Sequence, residues 1–445
     1  MDRLSNEEMT HKIFFFLLTL LLWSKAFGEN EDAYEEDKLL NEKISEKLLE
    51  NGIDCPFVFN GDIDCTCLFV KQKERADFNN TVASLRGNVN LAYLGRADNY
   101  GYGFEIGCKI NSGIIKQGDA TVQTSFIFFE EDRYGILRLG YTNTAADLFS
   151  IGGDKFLVGY GGAGSRNLWA FYNQSAGTIT SAGFPYDDIK AAKILWLSPT
   201  ISGFSTGISF TFDSRNASIF KTKRNKLKEV NKKTDFYRNF PVFSKNIVTA
   251  GIAYEYGMPD EFNAKIAFAI WLGKGKSQLE NGFEVNNLRA YNIGITLGYE
   301  KFNFSIGYTD NGKSLLSKKY VDADIAVFDS SRNYNLTDPE VGIKEGATAG
   351  KAYSLGLSYS LSPFVFSCGY FKSIVKFSKD ENVNANIFSL AAQYTLNKSF
   401  SFYVECDNVS TDTCARAQSY SKANFLSYQG KNHANLFMIG SKINF

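Results

Sequence analysis

Apolar and polar residues alternate one for one in short stretches along most of this chain. The clearest are Tyr102-Phe104-Ile106-Cys108-Ile110, Phe204-Thr206-Ile208-Phe210-Phe212, Phe262-Ala264-Ile266-Phe268-Ile270-Leu272 and Tyr353-Leu355-Leu357-Tyr359-Leu361. A period of two is that of an extended strand with one apolar and one polar face. The final stretch behaves the same way. Phe437, Ile439, Ile443 and Phe445 share a face that only Ser441 interrupts, and Gly440, Lys442 and Asn444 share the other. One such segment is a weak signal; its repetition is what constrains the fold.

An ordinary chain of 445 residues would make two or three domains. Here 44% of the residues are hydrophobic, yet past the N-terminus no apolar run is long enough to cross a bilayer as a helix. Hydrophobic content divided into short alternating pieces suits a single large β-structure. Lysine and arginine balance aspartate and glutamate at 48 each, so net charge makes no case for a nucleic-acid partner.

The N-terminus reads as a secretory signal over residues 1–28. Lys12 precedes the apolar run Ile13–Trp23, and Ala26-Phe27-Gly28 is a small-x-small cleavage site before Glu29. Met9 is an alternative start, and an uncleaved anchor helix is the alternative reading of the run. Residues 29–54 read as a periplasmic helical extension, with Leu40, Ile44 and Leu48 on one face. It would pair with copies of itself, plug a pore or stand in solvent. Export permits oxidised cysteines. It also leaves His433 as the one mature histidine, which argues against His-ligated metal centres.

Residues 55–445 then hold about sixteen strands, with fainter ones near 57–70, 82–94, 119–129, 133–141 and 191–198. The short links are 95–100, 130–132, 199–202, 257–261, 300–301, Ser362 and Asn397. Long links alternate with them, at 71–81, 111–118, 142–190, 214–245, 273–288, 310–350, 374–384 and 407–432. Short turns at one rim and long loops at the other are the asymmetry of outer-membrane barrels. A chain that crosses lipid on strands must close on itself to satisfy its backbone. The fold class is therefore all-β: a transmembrane antiparallel barrel with short periplasmic turns and long external loops. Sixteen strands enclose a lumen too wide for side chains to fill.

Three segments carry a family resemblance: Arg133–Tyr141, Ala192–Ser205 with its Leu197-Ser198-Pro199 and Gly203-Phe204, and Leu94–Gly103. They are similar to the strand entering the third loop, the strand–Ser-Pro–turn–Gly-Phe pattern and a periplasmic turn of trimeric general bacterial porins of alphaproteobacterial type. The terminal Phe445 resembles their barrel-closing C-terminal signal. The resemblance implies a homotrimer in outer-membrane lipid, no cofactor, and loop 142–190 folded inward as the constriction. It also implies loop acids facing basic residues on the wall, a transverse field that sets ion preference. The loop acids are Asp147, Asp154, Asp187 and Asp188. Alternation points Arg138 inward, and by the same count Arg86, Lys109 and Lys193 line the wall. Leu195 stands where many relatives carry an inward basic residue.

Other motifs have plainer readings. Gly159–Gly164 matches G-x-G-x-x-G, but no amphipathic helix or βαβ unit surrounds it; it reads as a tightly bending pore loop. The basic link 214–245 reads as a solvated external loop that would attract anionic solutes or lipid phosphates. Cys108 and Cys368 fall on outward positions as small hydrophobes. Cys55, Cys65 and Cys67 are close enough for one local disulfide, and Cys406 and Cys414 for another at the base of the last loop. No metal site and no catalytic constellation stands out. The expectation is a passive diffusion channel for small hydrophilic solutes and ions. The alternatives are a channel selective for sugars, through Trp169, Phe171 and Tyr172, or for anions, and a structural or adhesive surface barrel.

Overall fold

The structure, a computed structural model, describes residues 57–72, 81–97, 100–113, 116–160, 191–214, 242–258, 262–277, 284–315, 348–376, 382–412 and 431–445. The signal and the extension 29–54 lie outside them. Sixteen antiparallel strands form one closed barrel in which neighbours in sequence are neighbours in space. They are β1 (Phe57–Gln72), β2 (Thr81–Ala97), β3 (Tyr100–Gly113), β4 (Lys116–Glu131), β5 (Gly135–Tyr141), β6 (Ala192–Leu197), β7 (Phe204–Asp213) and β8 (Val242–Met258). There follow β9 (Phe262–Ser277), β10 (Leu288–Tyr299), β11 (Phe302–Asp310), β12 (Lys351–Leu361), β13 (Phe364–Lys376), β14 (Asn382–Asn397), β15 (Phe400–Asp412) and β16 (Lys431–Asn444). The seam joins β1 to β16 from Asp62↔Asn444 to Gln72↔Ala434. Phe445 extends it by exchanging both backbone hydrogen bonds with Gly61, at 2.8 and 3.0 Å.

The links alternate short and long except at one point. β3 and β4 run on until Gly113 pairs with Lys116, so the expected loop 111–118 is a two-residue connection. Asn111-Ser112-Gly113 and Lys116-Gln117-Gly118 carry no alternation because a strand that has left the lipid has no apolar face to present.

Alternation sorts the faces as expected. On β11, Phe302 and Ile306 are 50% and 42% exposed, while Ser305 and Thr309 are 0% and 1%. Aromatic pairs facing lipid pack edge-on or tilted across strands near the short turns: Phe57–Tyr93, Phe204–Tyr254, Phe302–Tyr359 and Phe364–Tyr394, with ring centroids 4.5 to 5.2 Å apart. A second belt near the long links includes Tyr291, Tyr308 and Tyr353. The hydroxyls of Tyr291 and Tyr308 reach Asp310, which also pairs with Lys351 at 2.9 Å. Two belts with polar tips suit the two membrane interfaces.

The inner face is less polar than alternation alone implies. In the loop-side half, Leu68, Phe371, Ile387, Val409, Leu436 and Met438 form a buried cluster with Tyr160. A second cluster brings Ile247, Trp271 and Leu288 together with Phe149 and Ile151 from the long β5–β6 link. Period two says which side a residue faces; it does not say whether that side is wet.

Candidate functional site: the inward loop

The link after β5 turns into the barrel. Thr144 caps a short helix, α1 (Ala145–Phe149), in a reciprocal box: its Oγ1 accepts the Asp147 N–H at 3.1 Å, and the Asp147 carboxylate accepts the Thr144 N–H at 3.0 Å. A 3-10 turn at Gly153–Phe156 follows. The chain then lies along the inner wall, and six of the strands from β7 to β15 offer an acceptor. Ala145 N–H donates to Ser209 on β7 (3.2 Å), Ala146 to Thr249 on β8 (3.3 Å) and Ile151 to Asn292 on β10 (3.0 Å). Gly153 donates to Ser354 on β12 (2.8 Å), Val158 to Ser367 on β13 (3.1 Å) and Tyr160 to Glu405 on β15. Each bond is worth about 1 kcal/mol net, and unmet buried amides would cost more.

The track is also cut to shape. A Cβ at Gly251 would overlap the Phe149 side chain, and one at Gly356 would overlap the Gly153 carbonyl. Glycine lets the loop backbone approach the sheet this closely. These inward glycines and hydroxyls read in sequence only as polar filler. Their signal was Gly, Ser, Thr or Asn at one height on successive strands.

Beyond the track, Tyr160 is clasped. The Arg86 guanidinium sits 3.7 Å from its ring centroid and pairs with Asp64. Tyr403 and Thr66 also reach Asp64, at 2.8 and 2.9 Å. Burial holds the Tyr160 phenol above its ordinary range, against the pull of Arg86.

The four basic wall residues all sit on inward positions of β2, β3, β5 and β6. Arg86 is engaged as just described. Lys193 is 3% exposed and donates to the Thr142 and Ala191 carbonyls, so it lies under the loop's neck. Arg138 stands 5.0 Å from the Phe126 ring centroid and interacts with Glu105 and Glu130. Lys109 is inward and half-buried. Asp147 lies on α1, against β6 to β9, and Asp154 on the 3-10 turn, against β11 to β13. Asp187, Asp188 and the aromatics 169–172 lie outside the described residues, as do the basic residues Arg215–Arg238. Gly159 and Tyr160 are described, but the rest of their motif, residues 161–164, lies outside the described residues. Cys65 and Cys406 are free thiols on outward strand positions; Cys55 and Cys414 lie outside the described residues. Among the described residues no cluster of His, Cys, Asp and Glu could hold a metal.

A Gram-negative porin family model matches residues 58–413. The chain belongs to the Gram-negative porin family. Family and barrel together place it in the outer membrane. This porin is 26% identical over 248 residues to an uncharacterised protein of Rickettsia prowazekii, covering 45% of this chain and 56% of that one. It is 26% identical over 258 residues to an uncharacterised protein of Rickettsia felis, covering 46% and 59%. The porin thus spans little more than half the length of the curated relatives it matches. Among solved structures it is similar to Salmonella typhi OmpF in complex with daunomycin, with TM-score 0.53, 12% identity and coverage of 87% and 97%. It is also similar to the trimer form of Vibrio cholerae OmpT, with TM-score 0.52, 11% identity and coverage of 87% and 99%. At such identities the likeness is one of fold.

Proposed function

We propose that this porin is a water-filled outer-membrane channel for passive diffusion of small hydrophilic solutes and ions, assembled as a trimer after removal of residues 1–28. The observation that carries this reading is that residues 145–160 of the loop are seated on the inner wall from β7 to β15, inside the barrel. Charged groups stand on both sides of the lumen. In a ring of sixteen strands, the seat of Asp154 at β11–β13 is opposite Lys109 on β3 and Arg138 on β5. Asp147, nearer β6, is less directly opposed. Acids facing cations across a narrow passage orient polar solutes and bias ion passage. No enzymatic role is read into the site.

The test is single-channel current in a planar bilayer under a salt gradient. Large steps closing in threes are expected. Replacing Arg138 with Glu should move the reversal potential towards cation preference; an unmoved potential would remove Arg138 from the filter. One observation favours a second reading, that of a structural barrel using its external loops as partner surface: the loop-side inner wall is apolar and covered, with Leu68, Phe371, Ile387 and Trp271 all at 0–1% exposure. Absence of current from correctly inserted protein would select it.

A further inference from the structure

Resting on the channel reading, we infer that Lys193 is the clasp of the constriction loop's neck, a positioning residue that holds the loop's two limbs together and takes no part in the ion filter. The β5–β6 ladder ends at the pair Tyr141↔Ala192. One step on, at Thr142 and Ala191, the limbs part and their carbonyls leave the ladder. Lys193 lies one step back and faces inward. Its ammonium rises along the wall and donates to both carbonyls, to Ala191 at 2.8 Å and to Thr142. One cation thereby bridges the first and last residues of the segment 142–191.

The surroundings fit a clasp. Thr142, Ala191 and Lys193 are 2%, 0% and 3% exposed, so no passing ion meets this ammonium. An ammonium has three donors and no acceptor, which suits a junction of carbonyls, and burying it without such partners would be costly. The neck also fixes where α1 begins: Thr144, its cap, is two residues from the bridged carbonyl, and the first track bonds follow at once at Ala145 and Ala146. Loss of the clasp should free the seated loop to leave its track, which a bilayer recording reads as transitions between conductance levels.

The experiment compares wild type, Lys193→Met, and Lys193→Met with Thr142→Cys and Ala191→Cys. The last joins the limbs by a disulfide at the position next beyond Tyr141↔Ala192, and every protein is recorded with and without reductant. The clasp predicts transitions at least about tenfold more frequent in Lys193→Met, the effect of losing about 1.4 kcal/mol. It also predicts wild-type frequency and reversal potential in the oxidised triple variant, lost again on reduction. If the oxidised triple variant keeps the Lys193→Met behaviour or shows a shifted reversal potential, the ammonium acts by its charge and the inference fails. A Lys193→Met indistinguishable from wild type also overturns it. Should Lys193→Met not fold, the oxidised triple variant alone decides by the same two readouts. Failure of the channel reading is separate: it is silence of the wild type.

Discussion

Asp64 accepts from three side chains, Arg86 across the β1–β2 ladder, Thr66 on its own strand and Tyr403 on β15. The arrangement keeps a carboxylate inside the barrel without leaving it bare. Removing one partner of a buried pair costs far more than the pair itself contributes, about 3–5 kcal/mol. Arg86→Met should therefore lower barrel stability by an amount of that order in urea unfolding from detergent or lipid, while Asp64→Leu with Arg86→Met recovers much of it. Strict additivity of the two single changes would mean that they do not interact. Parity alone pointed Arg86 and Lys193 inward and was right in direction. It could not tell that one would be stacked on Tyr160 and the other folded under a loop neck, because Tyr160 and Thr142 are remote in sequence and come from an irregular segment. Tyr160 and Glu405 were missed for the same reason: a loop tyrosine and one inward glutamate carry no local pattern.

The unit that matters at the next scale is the loop on its track. Six backbone donors between residues 145 and 160 find side-chain acceptors on six strands, with glycines where the backbones nearly touch. Gly251→Leu should push Phe149 off the wall and change unitary conductance, while the barrel keeps its heat-modifiable migration on gels. An unchanged conductance would mean that the loop does not set the passage. Strands facing lipid on one side were legible because water and hydrocarbon impose opposite demands at each step. β1 was the faintest, since the middle of its outward row runs through the small residues Gly61, Cys65 and Cys67. The ends of β3 and β4 were invisible because beyond the lipid both faces are polar. The covered inner wall had a signal after all: Leu436-Phe437-Met438-Ile439 is apolar on both faces, the mark of a strand buried on both sides.

Across the whole molecule the seam is the point on which closure depends. Phe445 packs on Phe59 at 5.6 Å between ring centroids and closes the backbone ladder on Gly61. Phe445→Ala should lower the yield of membrane-inserted barrel severalfold while leaving the current of the molecules that do insert unchanged; a full yield would show that the last ring is dispensable for assembly. The positions of the track acceptors have a temporal meaning as well. The loop is written between β5 and β6, yet the groups that seat it run from residue 209 to residue 405, all later in the chain. It cannot settle when it is made. Its seating cannot be complete until β15 has taken its place, and by then only one strand remains to join. The passage is thus the last thing this protein builds, and a barrel that closes in the wrong register would carry its own evidence of the error in a loop with nowhere to lie.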